Sequence, residues 1–97
     1  MTIEKEIESD FLLLCEHLGE DPNEIKSVSR KLEIVSKRQI IQWVLFKHKY
    51  SKSEVALFFD QDHSTVINSI QKVEDHRPYY QEARDLYSKL NATILAK

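Results

Sequence analysis

With 97 residues, one glycine, two prolines and one cysteine, the chain is long enough for one small domain, too poor in turn residues for a β-rich fold, and unable to form a disulfide within itself. A hydrophobic fraction of 41% supports a modest core and leaves little room for a deep enclosed active site. The net charge is −2, which does not by itself point to nucleic acid, yet the charges are segregated along the chain. Residues 1–25 carry eight acids and one Lys, whereas residues 26–52 carry eight Lys or Arg and one acid. Residues 53–77 return to an acidic balance, five against two, and residues 78–97 hold two acids and three bases. The chain is an acidic protein with a basic centre.

The elements read as helices throughout. Thr2 is placed to cap a first helix ending near Leu18, with Ile3, Ile7, Phe11, Leu14 and Leu18 at helical spacing and Gly19 positioned to stop it. Cys15 shares that apolar face and reads as a small core residue. Asp21-Pro22-Asn23-Glu24 combines a capping acid, Pro at the first helical position and Glu three residues after the cap. It opens a short second helix carrying Ile25 and Val28. Residues 27–31 read as a basic loop. A third helix is expected from about Glu33 to Lys47, with Ile34, Ile41, Val44 and Leu45 buried and Ile40 and Trp43 near the edges. Tyr50 and Ser51 break it. Ser51-Lys52-Ser53-Glu54 is a capping box that starts a fourth, short helix, with Val55 and Phe58 inward and Phe59 beside them. After Asp60-Gln61-Asp62 a fifth helix runs from about His63 to Glu74 on Val66, Ile70 and Val73. Pro78 marks the start of a last amphipathic helix, about 78–95, with Tyr80, Ala83, Leu86 or Tyr87, Leu90 and Ile94 on its inner side. The expected fold is all-α: one domain over 1–97, a six-helix bundle containing a helix-turn-helix at about 51–75.

The start of the fifth helix is small and polar. Asp62 can accept from cytosine N4, His63 and Ser64 can bond base edges, and the Thr65 methyl can pack on thymine. The plainer reading makes Asp62 an N-cap and Ser64 and Thr65 solvated first-turn residues.

Asp62-His63-Ser64-Thr65-Val66 resembles the signature of the C-terminal DNA-binding domain of the bacterial replication initiator DnaA, which commonly reads Gly-Arg-Asp-His-Ser/Thr-Thr-Val. Ile25-Lys26-Ser27, Ser29-Arg30-Lys31, Glu33-Ile34-Val35, Arg38-Gln39-Ile40 and Glu54-Val55 fall in the corresponding order, so the resemblance covers roughly residues 4–75. It implies double-stranded DNA as partner, with Asp62, His63 and Ser64 reading major-groove bases and Arg30 entering the minor groove. Thr65 and Arg38 then lie on the backbone, and Lys31, Lys47 and Lys52 are further phosphate candidates. Gln61 stands where the family usually has Arg, Asp60 and Gln61 replace a longer Gly-Gly-Arg turn, and Phe46 occupies a usually basic position. These departures imply weaker phosphate contact or a different docking angle, and bear on the DnaA-box target more than on DNA binding.

No Gly-rich loop with Lys-Ser/Thr is present, so no ATPase activity and no cofactor are expected; the chain reads as the DNA-binding part standing alone, and Met1 favours a natural small protein. His17, His48, His63 and His76 have no close-set partners and one Cys cannot complete a zinc site, so no metal is expected. Asp62, His63 and Ser64 are consecutive and fan around a helix, which rules against a catalytic relay and an enzyme. Trp43, Phe46, Phe58 and Phe59 fall on helix stripes and read as core. No apolar run approaches the ~18 residues of a membrane span, and the acidic N-terminus is unlike a signal peptide. A monomer in the bacterial or phage-host cytoplasm, with a role in replication or its regulation and replication proteins as further partners, follows from the resemblance. The alternative is a module whose acidic first helix and Tyr-rich last helix bind proteins, regulating an initiator or transcription without tight DNA binding.

Overall fold

The computed structural model describes residues 3–27 and 31–95, which form α1 (Ile3–Leu18), α2 (Pro22–Lys26), α3 (Leu32–His48), α4 (Lys52–Phe59), α5 (His63–Asp75) and α6 (Arg77–Leu95). The expected cap at Thr2, the apolar role of Val28 and the minor-groove role of Arg30 lie outside the described residues. The chain is an all-helical bundle, and no strand occurs among the described residues.

Local signals set the helix ends. Gly19, at φ 69°, closes α1: its N–H donates to the Glu16 carbonyl at 3.1 Å and the Glu20 N–H to the Cys15 carbonyl at 3.0 Å. A residue with a side chain is strained in this left-handed conformation, and glycine is not. The Asp21 carboxylate accepts from the Asn23 N–H at 2.9 Å and starts α2. At α4 both halves of the capping box form, with the Glu54 N–H donating to Ser51 Oγ at 3.1 Å and the Ser51 N–H to Glu54 Oε1 at 2.8 Å.

Helix α3 is the axis of the bundle. It packs against each of the other five helices, most extensively α5 and α6. From Ile40 to Leu45 no residue is more than 3% exposed. Ile40 and Trp43, expected near the edges, are therefore fully inside. The reason is α6, whose Ala83, Leu86 and Leu90 are buried and whose Tyr80 and Tyr87 rings meet Trp43 edge-on at 5.7 and 6.3 Å. Leu86 is the deeper of the Leu86–Tyr87 pair, and Ile94 is 37% exposed.

In α4 it is Phe59 that is buried, while Phe58 is half-buried. Phe58 lies edge-on against Phe11 at 5.1 Å, with the Lys26 ammonium over its ring at 4.0 Å. Tyr50 does more than break a helix. It is 3% exposed, and its hydroxyl donates to Asp10 Oδ2 at 2.5 Å. His48 Nε2 lies 3.5 Å from the same oxygen, so this cluster ties α1 to the α3–α4 turn.

Burial first, then the hydrogen bond to Asp10 and the nearby carboxylates, pushes the Tyr50 phenol above its ordinary range. The folded chain thus holds this proton more tightly than the unfolded chain. The stabilisation is complete below pH ~10, the ordinary tyrosine value, and is lost as pH rises beyond it. Cys15, pushed up to about 12 by burial and then by Asp21 and Glu20, adds to the same alkaline loss. Tyr50→Phe is expected to lower stability at neutral pH by about 1.5–3 kcal/mol, the usual value of a hydrogen bond to a carboxylate. It should also make the decline above pH ~10 shallower, leaving the part due to Cys15. Denaturant titrations across that range check both; an unchanged alkaline slope would refute the assignment to Tyr50.

Candidate nucleic-acid interface

Helices α4 and α5 pack against one another and both rest on α3. The turn between them begins at Asp60, at φ 54° and ψ 46° the one non-glycine residue with positive φ among those described. Its N–H donates to the Leu57 carbonyl at 3.2 Å and the Gln61 N–H reaches back to the Ala56 carbonyl at 2.9 Å. That pair of bonds is the Schellman closure of a helix, in which the left-handed position usually belongs to Gly. The Gln61 side chain turns towards the core and accepts from Gln42 Nε2 at 2.8 Å.

Asp62 follows in extended conformation and occupies the N-cap of α5. Its carbonyl accepts from the Val66 N–H at 3.2 Å, but its carboxylate makes no capping bond. The plain capping reading is therefore met by the backbone of Asp62 and not by its side chain. Val66, Ile70 and Val73 bury one face of α5, at 2% exposure or less. His63, Ser64 and Thr65 lie exposed on the first turn, with Asn68 below them. The structure thus brings Asp62, His63, Ser64 and Thr65 together at one solvent-facing helix tip. The N–H groups of that first turn have no side-chain cap, and the helix dipole there favours negative charge.

The basic residues are dispersed, and several are already engaged. Arg38, expected on a phosphate, is 9% exposed. Its Nε donates to the Ile25 carbonyl and its Nη2 to the Ser27 carbonyl, both at 2.7 Å. Burial lowers its pKa, and the two carbonyls offset the desolvation of the charge. This corrects the expectation: Arg38 organises the end of α2 and the chain leading into the basic loop, and does not face solvent. Lys47 lies 3.7 Å from Glu74 and over the rings of Trp43 and Phe46. Lys52, at the start of α4, sits over Phe46 at 5.1 Å. Phe46 therefore gathers two ammonium groups over one ring. Lys31 is exposed at the N-cap of α3.

These positions do not form one tight cluster. Lys52 stands at the opposite end of α4 from the tip, about 11 Å away along the axis at helical rise. Glu74, which holds Lys47, is about 16 Å from His63 along α5. Elsewhere Lys37 pairs with Glu82 at 3.4 Å and Lys49 with Glu6 at 3.5 Å, so part of the basic centre is neutralised within the fold. Sequence reasoning missed the Gln42–Gln61 pair. The available signal was an amide in the otherwise apolar run Ile40–Leu45.

Two short helices joined by a three-residue turn, with a bare polar tip on the second and a longer helix behind, define a helix-turn-helix nucleic-acid-binding domain. Residues 12–73 match the family described as bacterial dnaA protein helix-turn-helix. The chain is 44% identical over 59 residues to the chromosomal replication initiator protein DnaA of Kosmotoga olearia, covering 59% of this chain and 13% of that protein. It is 40% identical over 63 residues to the DnaA protein of Pseudothermotoga lettingae, 64% of this chain and 14% of that protein. With the DnaA protein of Thermus thermophilus it shares 32% identity over 92 residues, 89% of this chain and 21% of that protein. No solved structure gives a significant match. The chain belongs to the DnaA C-terminal helix-turn-helix family, whose domains bind double-stranded DNA. It spans about a fifth or less of the length of these relatives.

The strained turn gives a direct test. Asp60→Gly is expected to raise stability by about 1 kcal/mol, because glycine adopts the left-handed conformation without the steric penalty of a side chain. Asp60→Val should lower it by at least as much. Guanidinium denaturation of the two variants checks the order; a stabilised valine variant would contradict the backbone assignment.

Proposed function

We propose that this chain is a sequence-specific double-stranded DNA-binding domain that reads a site related to the DnaA box and has no catalytic or ATPase activity. The observation that carries this reading is the bare tip of α5: four consecutive exposed polar residues whose side chains, among the described residues, make no hydrogen bond or ion pair. In this reading Asp62, His63 and Ser64 contact base edges in the major groove. Arg30 enters the minor groove, where a narrow groove concentrates negative potential. Lys31, Lys52 and Thr65 hold phosphates, Lys47 joins them by exchanging Glu74 for DNA, and Arg38 acts from behind by holding the approach to the basic loop. Residues 1–97 work as one binding unit, with α6 covering α3.

Kinship with chromosomal replication initiators supports a role in DNA replication or its regulation, in the bacterial or phage-host cytoplasm and with replication proteins as neighbours. No helix among the described residues is long and apolar enough to cross a membrane. The second reading, a protein-binding module, draws on the internal neutralisation of Lys37, Lys47 and Lys49, which lowers the positive field available to a phosphate backbone.

Fluorescence anisotropy of labelled duplexes, one carrying a DnaA box and one scrambled, separates these readings at two salt concentrations. Tighter binding to the box is expected, with roughly four phosphate contacts giving a log–log salt slope of about −3.6. Equal, salt-sensitive binding to both duplexes keeps the DNA-binding role and removes the box as target. No binding to either at low salt leaves the protein-binding module as the better reading. His63→Ala should weaken binding to the preferred duplex by about 1–3 kcal/mol and leave scrambled DNA unaffected. An equal loss on both would argue against base reading by His63.

A further inference from the structure

Gln42 is a polar residue in the most buried stretch of the molecule, with no solvent exposure. Its amide nitrogen donates to Gln61 Oε1 at 2.8 Å, and its own Oε1 is buried without a hydrogen-bond partner. Stability alone is a poor account of it. An orphaned buried acceptor is destabilising, and an unbranched apolar side chain of the same length would fill the space without one. What the amide adds is direction and fixed length. It joins the middle of α3 to Gln61, the residue between the left-handed turn at Asp60 and the N-cap Asp62.

The turn has few other ties. Its backbone bonds run back to α4 through Leu57 and Ala56, and the Asp62 carboxylate does not cap α5. At the position after the left-handed residue, a helix closure of this type commonly has an apolar contact with its own helix. Here that side chain is bonded to a different helix. The link therefore adds a directional polar tie between the entry of α5 and α3, beside the non-directional apolar packing of Val66, Ile70 and Val73.

We infer that Gln42 is a positioning residue for DNA recognition: through Gln61 it fixes the placement of Asp62, His63 and Ser64 relative to the rest of the bundle. The inference rests on the DNA-reading role proposed above. Base reading is sensitive to such placement, because each hydrogen bond to a base edge demands a narrow range of distance and angle. A link of this kind changes discrimination between sequences more than it changes total affinity, which phosphate contacts dominate. Gln61, drawn inward by the bond, is then a structural residue of the turn and not a phosphate ligand.

The test has one arm on the free protein and one on DNA. Gln42→Met and Gln61→Met each remove the link with little change in volume. In amide-resolved NMR of the free protein, both variants should shift the Asp62, His63 and Ser64 signals while leaving those of α1 unmoved. Against the duplex that wild-type protein selects from a random library, each should reduce the ratio of selected to scrambled binding by about tenfold, part of the discrimination of one base contact. The double variant should fall no further, since the two residues act through one bond. Low-salt affinity for scrambled DNA should change little; the melting temperature should hold in Gln42→Met and fall in Gln61→Met, which leaves the buried Gln42 amide without its acceptor. Unmoved tip signals would overturn the positioning role in the free protein, whatever the fate of DNA binding. Moved signals with an unchanged ratio, or additive losses, would overturn its effect on recognition. If wild-type protein selects no duplex while the tip signals still move, the DNA reading itself fails, and the recognition role of Gln42 fails with it.

Discussion

Six consecutive residues of α3, Ile40 to Leu45, have almost no access to solvent, and a helix buried on every side exists only where other elements surround it. The rest of the bundle follows from that requirement. Helices α1 and α2 cover one side, α4 and α5 another, and α6 closes the remainder through Ala83, Leu86, Leu90 and the two tyrosines against Trp43. The helix-turn-helix is therefore supported from behind by the most tightly packed element in the molecule. A recognition helix must keep its orientation while its outer face stays bare, and the three buried side chains of α5 achieve this by anchoring it to α3.

Charge is organised by the same packing. The acidic first helix meets the C-terminal end of α3 and the turn that follows it, where Glu6 meets Lys49 and Asp10 meets His48 and Tyr50. Lys37 and Lys47 are paired from α6 and α5. Asp10, His48 and Tyr50 are mostly buried, whereas the Lys37, Lys47 and Lys49 pairs are partly or well exposed, so each of these pairs contributes little to stability. Their larger effect is on the field outside the protein. A block of net charge +7 in residues 26–52 becomes a few separated cations around α4 and the start of α3. Such an arrangement favours DNA contact at discrete phosphates over adhesion to polyanions in general.

Much of the fold was legible because it is written in local chemistry. Gly19, Asp21-Pro22 and the Ser51 capping box each act within one helical turn, and each marks a boundary where the structure has it. The polar tip at Asp62–Thr65 was legible for the same reason, and its likeness to a known family extended the reading to DNA. Three features were not legible, and all depend on contacts distant in sequence. The burial of Ile40 and Trp43 was hidden because a one-sided stripe is the signature of a helix covered on one side, and α3 is covered on all. The commitment of Arg38 to the carbonyls of Ile25 and Ser27 requires knowing that α2 ends beside α3. The exchange of depth between Phe58 and Phe59 turns on Phe11 and Lys26, which lie in other helices.

The start of α5 separates stability from recognition. A capping carboxylate typically stabilises a helix by about 1 kcal/mol, and Asp62 stands where such a cap would act but does not make the bond. A carboxylate bonded back to its own helix is oriented by that bond and offers fewer free lone pairs to a cytosine N4 donor. Left extended, it keeps both oxygens available, and the neighbouring N–H groups stay open as well. His63, Ser64 and Thr65 likewise support no part of the core. Beneath them Val66, Ile70 and Val73 hold the helix to α3, while the Gln42–Gln61 bond holds its entrance. The stabilising contacts of α5 lie on one face and at its entry turn, and the outward side of its first turn is left to chemistry that only a partner can complete.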